Sequence, residues 1–320
     1  MSTPAPNSPF IYMAPLRGIT DALFRRVYTR HFSGVDAALA PFIIPHHQAI
    51  QSKKLLKDII PEANVSGLKL IPQLLNSSAD DFLAVAARIH DLGYDEVNWN
   101  LGCPAPMVAK KKRGSGLLPY PDEIESLLEK VMPRLKPRLS IKMRLGYRDY
   151  EESMELLPRL NKYPLAEIII HPRLGTQLYK GKASPEHFSS RMDHTGHTLV
   201  YNGDIVSLES FTELQEKLPG IDRWMIGRGL VADPLLPEKI KGIKIPEEQK
   251  QKRLTLFHDE LYAAMKENLS GPGHLLGRMK QVWPYFIDSF PEKKKQLKKI
   301  IKASTETKYL EAVEAVISKE

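Results

Sequence analysis

Short apolar runs rich in β-branched residues alternate with amphipathic stretches about eight times between Phe10 and Gly227. This alternation constrains the fold more than any other feature, because it is the pattern of repeated βα units and a mostly parallel sheet. The runs fall at residues 10–14, 37–39, 70–74, 96–100, 140–144, 167–171, 198–202 and 224–227. Between them, helices are predicted over residues 20–30 with Thr20 as N-cap, and over 80–92 with Phe82, Val85, Ala86 and Ile89 on one face. Further helices are predicted over residues 122–131, 150–160 and 208–218. Eight strands with intervening helices fit an α/β fold of the (β/α)8 TIM barrel kind better than a doubly wound sheet.

After Gly242 the rhythm changes. Residues 246–320 hold Lys-rich helical patterns, such as 249–268 and 292–303, and no convincing strand. The turn Gly271-Pro272-Gly273 is expected to break the first of these helices and Pro284 to limit the next. The chain therefore divides into a catalytic barrel over residues 1–241 and a smaller all-α domain over residues 242–320. Residues 241–320 carry 16 Lys or Arg against 11 Asp or Glu, most of the chain's formal excess of +8. A basic excess of this kind suits a polyanion such as RNA, although a solvated lysine-rich helix face has the same composition.

Composition narrows the class further. With 42% apolar and 26% charged residues and no apolar run near the ~18 residues a membrane helix needs, a soluble globular protein without a membrane partner is expected. Residues Met1 to Pro9 show neither a basic start nor an apolar core of a secretory signal, so a short disordered lead is expected, and the single cysteine fits a reducing cytoplasm. The single cysteine, Cys103, excludes an internal disulfide and a cysteine-rich zinc site, and no ligand set suggests a metal.

In such a barrel, working residues follow the strands. Strand one ends in Ala14-Pro15-Leu16-Arg17-Gly18, the third near Gln73, and the fourth in Asn98-Trp99-Asn100-Leu101-Gly102-Cys103-Pro104. The fifth ends in Lys142-Met143-Arg144, the sixth in Ile170-His171-Pro172-Arg173, the seventh in Asn202-Gly203-Asp204 and the eighth in Gly227-Arg228-Gly229. A lysine within an apolar strand usually sits at an edge, but a closed barrel has none, so Lys142 is read as neutralising an anion or electron-rich ring. His171 beside it is read the same way rather than as a core histidine. The glycine-bearing ends of the last two strands are either a phosphate cradle or plain tight turns. Cys103, in a loop at the catalytic face, is read as a proton donor or nucleophile rather than inert packing.

Taken in order, Met13-Ala14-Pro15-Leu16-Arg17-Gly18-Ile19-Thr20-Asp21, Gln73, Asn100-Leu101-Gly102-Cys103-Pro104, Lys142-Met143-Arg144, His171, Asn202-Gly203-Asp204 and Gly227-Arg228-Gly229 resemble the dihydrouridine synthases over residues 11–235. The helical tail is also similar to that family's RNA-recognition domain. The resemblance implies an FMN enzyme, reduced by NADPH, that converts uridine of tRNA to dihydrouridine. It implies that Pro15, Leu16 and Arg17 line the flavin, that Gln73, Lys142 and His171 contact its ring or ribityl part, and that Asn202, Gly203, Asp204, Gly227 and Arg228 surround its phosphate. Cys103 would be the general acid that protonates uracil C5 while hydride reaches C6. Asn100 and Arg144 would hold the uracil, and Arg173 would touch RNA. The run Lys110-Lys111-Lys112-Arg113 would contact phosphates that position an extruded nucleotide. A monomer is expected. The alternatives are an FMN barrel reducing a small enone or pyrimidine, a synthase acting on ribosomal RNA, and an RNA-binding protein without turnover.

Overall fold

A computed structural model describes residues 8–45, 52–64 and 67–318. The lead expected at Met1 to Pro9 falls mostly outside these residues. Nine parallel strand segments, β1 (Phe10–Met13), β2 (Ala37–Leu39), β3 (Lys69–Ile71), β4 (Gln73–Leu74), β5 (Glu96–Leu101), β6 (Arg138–Gly146), β7 (Ile168–Leu174), β8 (Leu199–Tyr201) and β9 (Arg223–Ile226), lie in the order β3-β2-β1-β9-β8-β7-β6-β5-β4. The two outermost segments are separated in the chain only by Pro72. Proline has no N–H for the ladder, so the strand is interrupted there, while the Pro72 carbonyl still accepts from the Asn98 N–H at 2.8 Å. Residues 69–74 thus act as one strand whose first half pairs with β2 and whose second half pairs with β5. The sheet closes through it into an eight-stranded barrel.

Helices α1 (Ala22–His31), α2 (Ala79–Asp91), α3 (Pro106–Ala109), α4 (Pro121–Val131), α5 (Glu151–Leu160), α6 (Pro185–Ser189), α7 (Leu208–Lys217), α8 (Arg228–Ala232) and α9 (Leu236–Ile240) accompany the strands. Then follow α10 (Glu247–Asn268), α11 (Gly271–Phe286), α12 (Leu297–Lys302) and α13 (Glu306–Ile317). Two local expectations are corrected. Asp21, not Thr20, caps α1, its carboxylate accepting from the Phe24 N–H at 3.1 Å. The Thr20 hydroxyl instead ties the loop after β1, donating to the Ala14 carbonyl and accepting from the Leu16 N–H at 2.8 Å. Pro284 does not end its helix, because α11 runs on to Phe286 with Trp283 and Phe286 both buried.

Side chains of a strand alternate between faces, so a closed barrel has a lumen and an outer shell. On one side the lumen is apolar, filled by Tyr12, Ala14, Ala37, Leu39, Ile71, Ile169, Val200 and Met225, a cluster separate from the main core. On the other side it is polar, lined by buried Gln73, Asn98, Asn100, Ser140 and Arg144. The larger core lies between strands and helices and runs without a break into the C-terminal helices. Phe257 of α10 joins the two, its ring 5.6 Å from Phe24 and 5.2 Å from Phe32. Arg253 reinforces the joint, donating to the His31 carbonyl at 2.9 Å and to Glu238 at 2.9 Å.

The helical segment also reaches the barrel mouth. Arg278 of α11 pairs with Asp21. Gly18 holds a φ of +84°, and a Cβ there would stand 2.5 Å from Oε1 of Gln281 on the same helix. The β1–α1 loop is thereby pressed between the mouth and α11. Because the Phe257 packing makes barrel and helices one apolar unit, Phe257→Ala is expected to lower stability by about 3–5 kcal/mol within a single cooperative transition. Denaturant unfolding followed by both tryptophan fluorescence and circular dichroism checks this, and two separate transitions in the wild-type chain would contradict it.

Candidate active site

The C-terminal ends of the strands open into a cavity of about 520 Å³. Residues from the ends of β1, β5, β6, β7, β8 and β9 line it, together with Tyr285 of α11. Strand alternation explains which side chains point inward. Ser140, Lys142 and Arg144 are spaced two apart on β6, as are Asn98 and Asn100 on β5 and His171 and Arg173 on β7. The register sets Asn100 opposite Lys142 and Arg144 opposite His171.

Cys103 lies just past β5 and is half-buried in the cavity wall. Its loop is held from two sides. The Asn100 side-chain oxygen accepts the N–H groups of Gly102 at 3.0 Å and Cys103 at 2.8 Å. The Cys103 carbonyl accepts from the Ser115 N–H at 3.0 Å and hydroxyl at 3.1 Å. Gly114 makes that second closure possible, since it holds φ of +57° and a Cβ would meet the Cys103 carbonyl oxygen at 2.5 Å. Asn100 is itself oriented by a buried amide chain. Its Nδ2 donates to Gln73 Oε1 at 2.8 Å, Gln73 Nε2 donates to Asn98 Oδ1 at 2.8 Å, and Asn98 Nδ2 donates to the Ser140 hydroxyl at 3.0 Å. Arg144 adds a third tether, donating from Nε to the Gly102 carbonyl at 3.1 Å and from Nη1 to the Leu174 carbonyl at 2.7 Å.

The electrostatics are one-sided. Lys142 makes no hydrogen bond or ion pair among the described residues. Burial, reinforced by the Arg144 charge, pushes its ammonium down to about 7. The same causes, with Arg173 and Arg228 added, hold His171 well below its usual range, so the imidazole is neutral. Burial raises the Cys103 thiol, against the lowering effects of the Ala105 N–H and of Arg144, Arg17 and Lys142. Cys103 therefore keeps its proton at neutral pH. Asp204, the acid among the lining residues, is already committed, accepting from Arg173 at 2.6 Å, from Arg228 at 3.2 Å and from the Ala183 N–H at 2.8 Å. A cavity with a half-buried lysine that has no acid partner attracts an anionic or electron-rich occupant, which would hold the ammonium in its charged form.

Pro15, Leu16, Arg17, Asn100, Cys103, Lys142, Arg144, His171, Asn202, Gly203, Asp204, Gly227 and Arg228 are all brought to this cavity. Gln73 is not among the lining residues and is fully buried beneath them. Arg173 is 2% exposed. It is turned into the wall and not presented to an RNA phosphate. Of the basic run, Lys110 and Lys111 are exposed, whereas Lys112 pairs with Glu123 at 2.5 Å and lies 3.9 Å over the Tyr120 ring. The Arg113 Nε is buried without a hydrogen-bond partner. Sequence reasoning missed Phe42, Tyr179 and Tyr285. The Tyr179 ring lies 5.3 Å from the Arg144 guanidinium and 5.5 Å from that of Arg228, and the Arg17 guanidinium lies 5.5 Å over Phe42.

The Lys142 environment yields a testable sign. The unfolded lysine keeps its proton to pH ~10.4, whereas the folded one releases it near 7. Between these values the unfolded state binds more protons, so this residue's destabilising effect is full below pH 7 and relieved as pH rises. Denaturation midpoints of the empty protein and of Lys142→Met should converge from pH 7 to 10. Parallel curves would contradict the burial of this charge.

A family model described as dihydrouridine synthase matches residues 12–319. The tRNA-dihydrouridine(16) synthase of Neisseria meningitidis serogroup B is 31% identical over 238 residues, 72% of this chain and 71% of the relative. The protein of that name from Aquipseudomonas alcaligenes is 26% identical and spans 88% of this chain and 91% of its own. Among solved structures, morphinone reductase superposes with a TM-score of 0.52 at 15% identity, over 77% of this chain and 92% of that one. A histamine dehydrogenase from Rhizobium sp. 4-9 reaches 0.55 at 13% identity, over 80% and 50%. At these identities the structural likeness shows the barrel alone.

Proposed function

The chain belongs to the dihydrouridine synthase family, and from that premise we propose that it uses FMN and NADPH to reduce the C5=C6 bond of a uridine in tRNA. The observation that carries this reading is a protonated thiol, Cys103, facing the same cavity as the unmatched cation Lys142 and the neutral His171. Relatives of this chain that are named for position 16 make that the first position to map.

The residues fit a flavin. Lys142 has no acid partner among the described residues, which suits the electron-rich ring, and Arg228 with the glycine-bearing ends Gly203 and Gly227 suits a phosphate. Pro15, Leu16 and Arg17 would form the adjoining wall. When bound and reduced by NADPH, FMN supplies the hydride that reaches uracil C6. Cys103 delivers the Sγ proton to C5, and solvent then reprotonates its thiolate. Burial keeps that proton in place at neutral pH until a base occupies the site.

Asn100 uses one amide N–H on Gln73, which leaves the other for a uracil carbonyl. Arg144, with Nε and Nη1 tied to the backbone, faces the same space. Gln73 and Arg173 act on this reading through their neighbours, Gln73 by orienting Asn100 and Arg173 by bracing the β7 end. A uridine in folded RNA has to leave its stack to reach the thiol. The exposed Lys110 and Lys111, fixed to the Cys103 loop through Ser115, are the cations placed to hold the flanking phosphates. On this reading the basic residues of the C-terminal helices supply further phosphate contacts. We read residues 1–241 as the catalytic unit and 242–320 as the RNA-recognition unit of a cytoplasmic monomer.

Cys103→Ala is expected to retain bound flavin and its reduction by NADPH while losing ~10²–10⁴-fold in uridine reduction. Full activity in that variant, assayed by mass spectrometry of tRNA, would overturn the proton-donor role. Replacing Lys110 and Lys111 by Ala should weaken tRNA binding and lower the salt slope by ~1 for each phosphate no longer neutralised. Titrations at several salt concentrations read this, and an unchanged slope would remove these lysines from the interface.

A further inference from the structure

His171 and Arg173 project from the same face of β7, and their side chains meet: Arg173 Nη1 lies 2.8 Å from His171 Nε2. A guanidinium carries donors only and stays charged at any ordinary pH. The imidazole nitrogen that receives it must therefore offer a lone pair. Nε2 is bare, and the single ring proton of the neutral imidazole is on Nδ1. Among the described residues, Nδ1 makes no hydrogen bond, and His171 lines the cavity.

Arg173 cannot easily turn away. Its Nη2 donates to the Gly181 carbonyl at 2.8 Å and to Asp204 Oδ2 at 2.6 Å, and the side chain is 2% exposed. Asp204 is fixed in turn by the Ala183 N–H at 2.8 Å and by Arg228 at 3.2 Å. Three segments, the end of β7, the turn at residues 181–183 and the loop after β8, thus converge to hold one guanidinium against one nitrogen. Burying an arginine this deeply leaves its Nε without a partner, a cost that the grip on His171 explains.

We propose that Arg173 is a positioning residue that locks His171 in the Nδ1–H tautomer, so that the cavity wall presents a permanent neutral N–H donor and never an imidazolium. This deepens the proposed reaction, and rests on it only for the identity of the acceptor, a carbonyl or ring nitrogen of flavin or uracil. It also separates the proton roles: Cys103 gives its proton up, whereas His171 keeps its own. The charged and titratable groups around the ring agree. Lys142 and Arg144 face it from β6, Arg173 from β7 and Arg228 from α8, while Tyr179 stacks nearby at 6.5 Å and Asp204 is taken up by the arginines. Protonating Nε2 would break the Arg173 bond and add a cation to four.

The test is long-range ¹H–¹⁵N NMR of the full-length, flavin-loaded protein labelled at histidine, with the His171 signals assigned by their loss in His171→Gln. The expected spectrum shows a protonated Nδ1 and an unprotonated Nε2, unchanged from pH 5.5 to 8.5. A proton on Nε2, or a titration near the ordinary ~6.5, would overturn the proposal. Arg173→Met should release the ring to a mixture of tautomers, read as a protonated Nε2 appearing beside the protonated Nδ1, while burial and the remaining cations keep the imidazole neutral. Arg173→Lys, which again offers only donors, should restore the single tautomer. If Arg173→Met does not fold, the wild-type and Arg173→Lys spectra still decide. None of the spectra needs RNA or reductant, so failure here and failure of the proposed reaction are distinguishable.

Discussion

A closed barrel forces half of every strand's side chains into a lumen with no exit except the two ends, and this constraint governs the rest of the molecule. Where the inward residues are mostly small or apolar, as on β1, β2 and β8, they pack against one another. Where they are polar, as on β5, β6 and β7, each must find a partner inside or face the cavity at the mouth. Asn98, Gln73, Asn100 and Ser140 solve this by bonding to one another in a line. Lys142 has no such solution among the described residues and remains an unmatched cation. The chemistry of the site follows from that asymmetry.

The amide line has a second consequence. It begins deep in the lumen at Ser140 and ends on the N–H groups of Gly102 and Cys103, so the position of the Cys103 thiol is set by the strands rather than by the loop that carries it. Arg144 and Ser115 hold the same loop from its other sides. The wall opposite is organised by Asp204 in the same manner, through Arg173 and Arg228. The Cys103 thiol and the residues of the opposite wall are thereby held by separate networks, the kind of preorganisation that spares an active site from rearranging during reaction.

The barrel was legible because its signal is periodic: apolar runs and amphipathic helices repeat, and their order excludes most other topologies. The ends of the strands were legible for the same reason, since polar residues there break the apolar run. What stayed hidden depends on packing with no sequence period. Pro72, in the third strand, marks the join that closes the sheet, and nothing in the sequence distinguishes it from a strand end. Arg173 reads as a surface cation because arginine usually is one, and only its burial and its three acceptors reveal a structural task. Tyr179 and Phe42 lie in irregular segments, and Tyr285 belongs to a helix that the sequence assigns to another domain. That helix presses on the β1–α1 loop and lends a ring to the cavity, so the two parts share one site.

On the proposed function, this cavity holds a flavin whose reducing equivalents end in the uracil of a tRNA. The most direct measurement is to incubate the purified, full-length protein with unmodified tRNA and NADPH, and to map dihydrouridine by mass spectrometry while following the flavin absorbance. Oxidation of NADPH with dihydrouridine appearing at a single position is expected. A yellow protein that oxidises NADPH but leaves every uridine intact would contradict it, and would assign the same cations to a smaller electron-poor substrate.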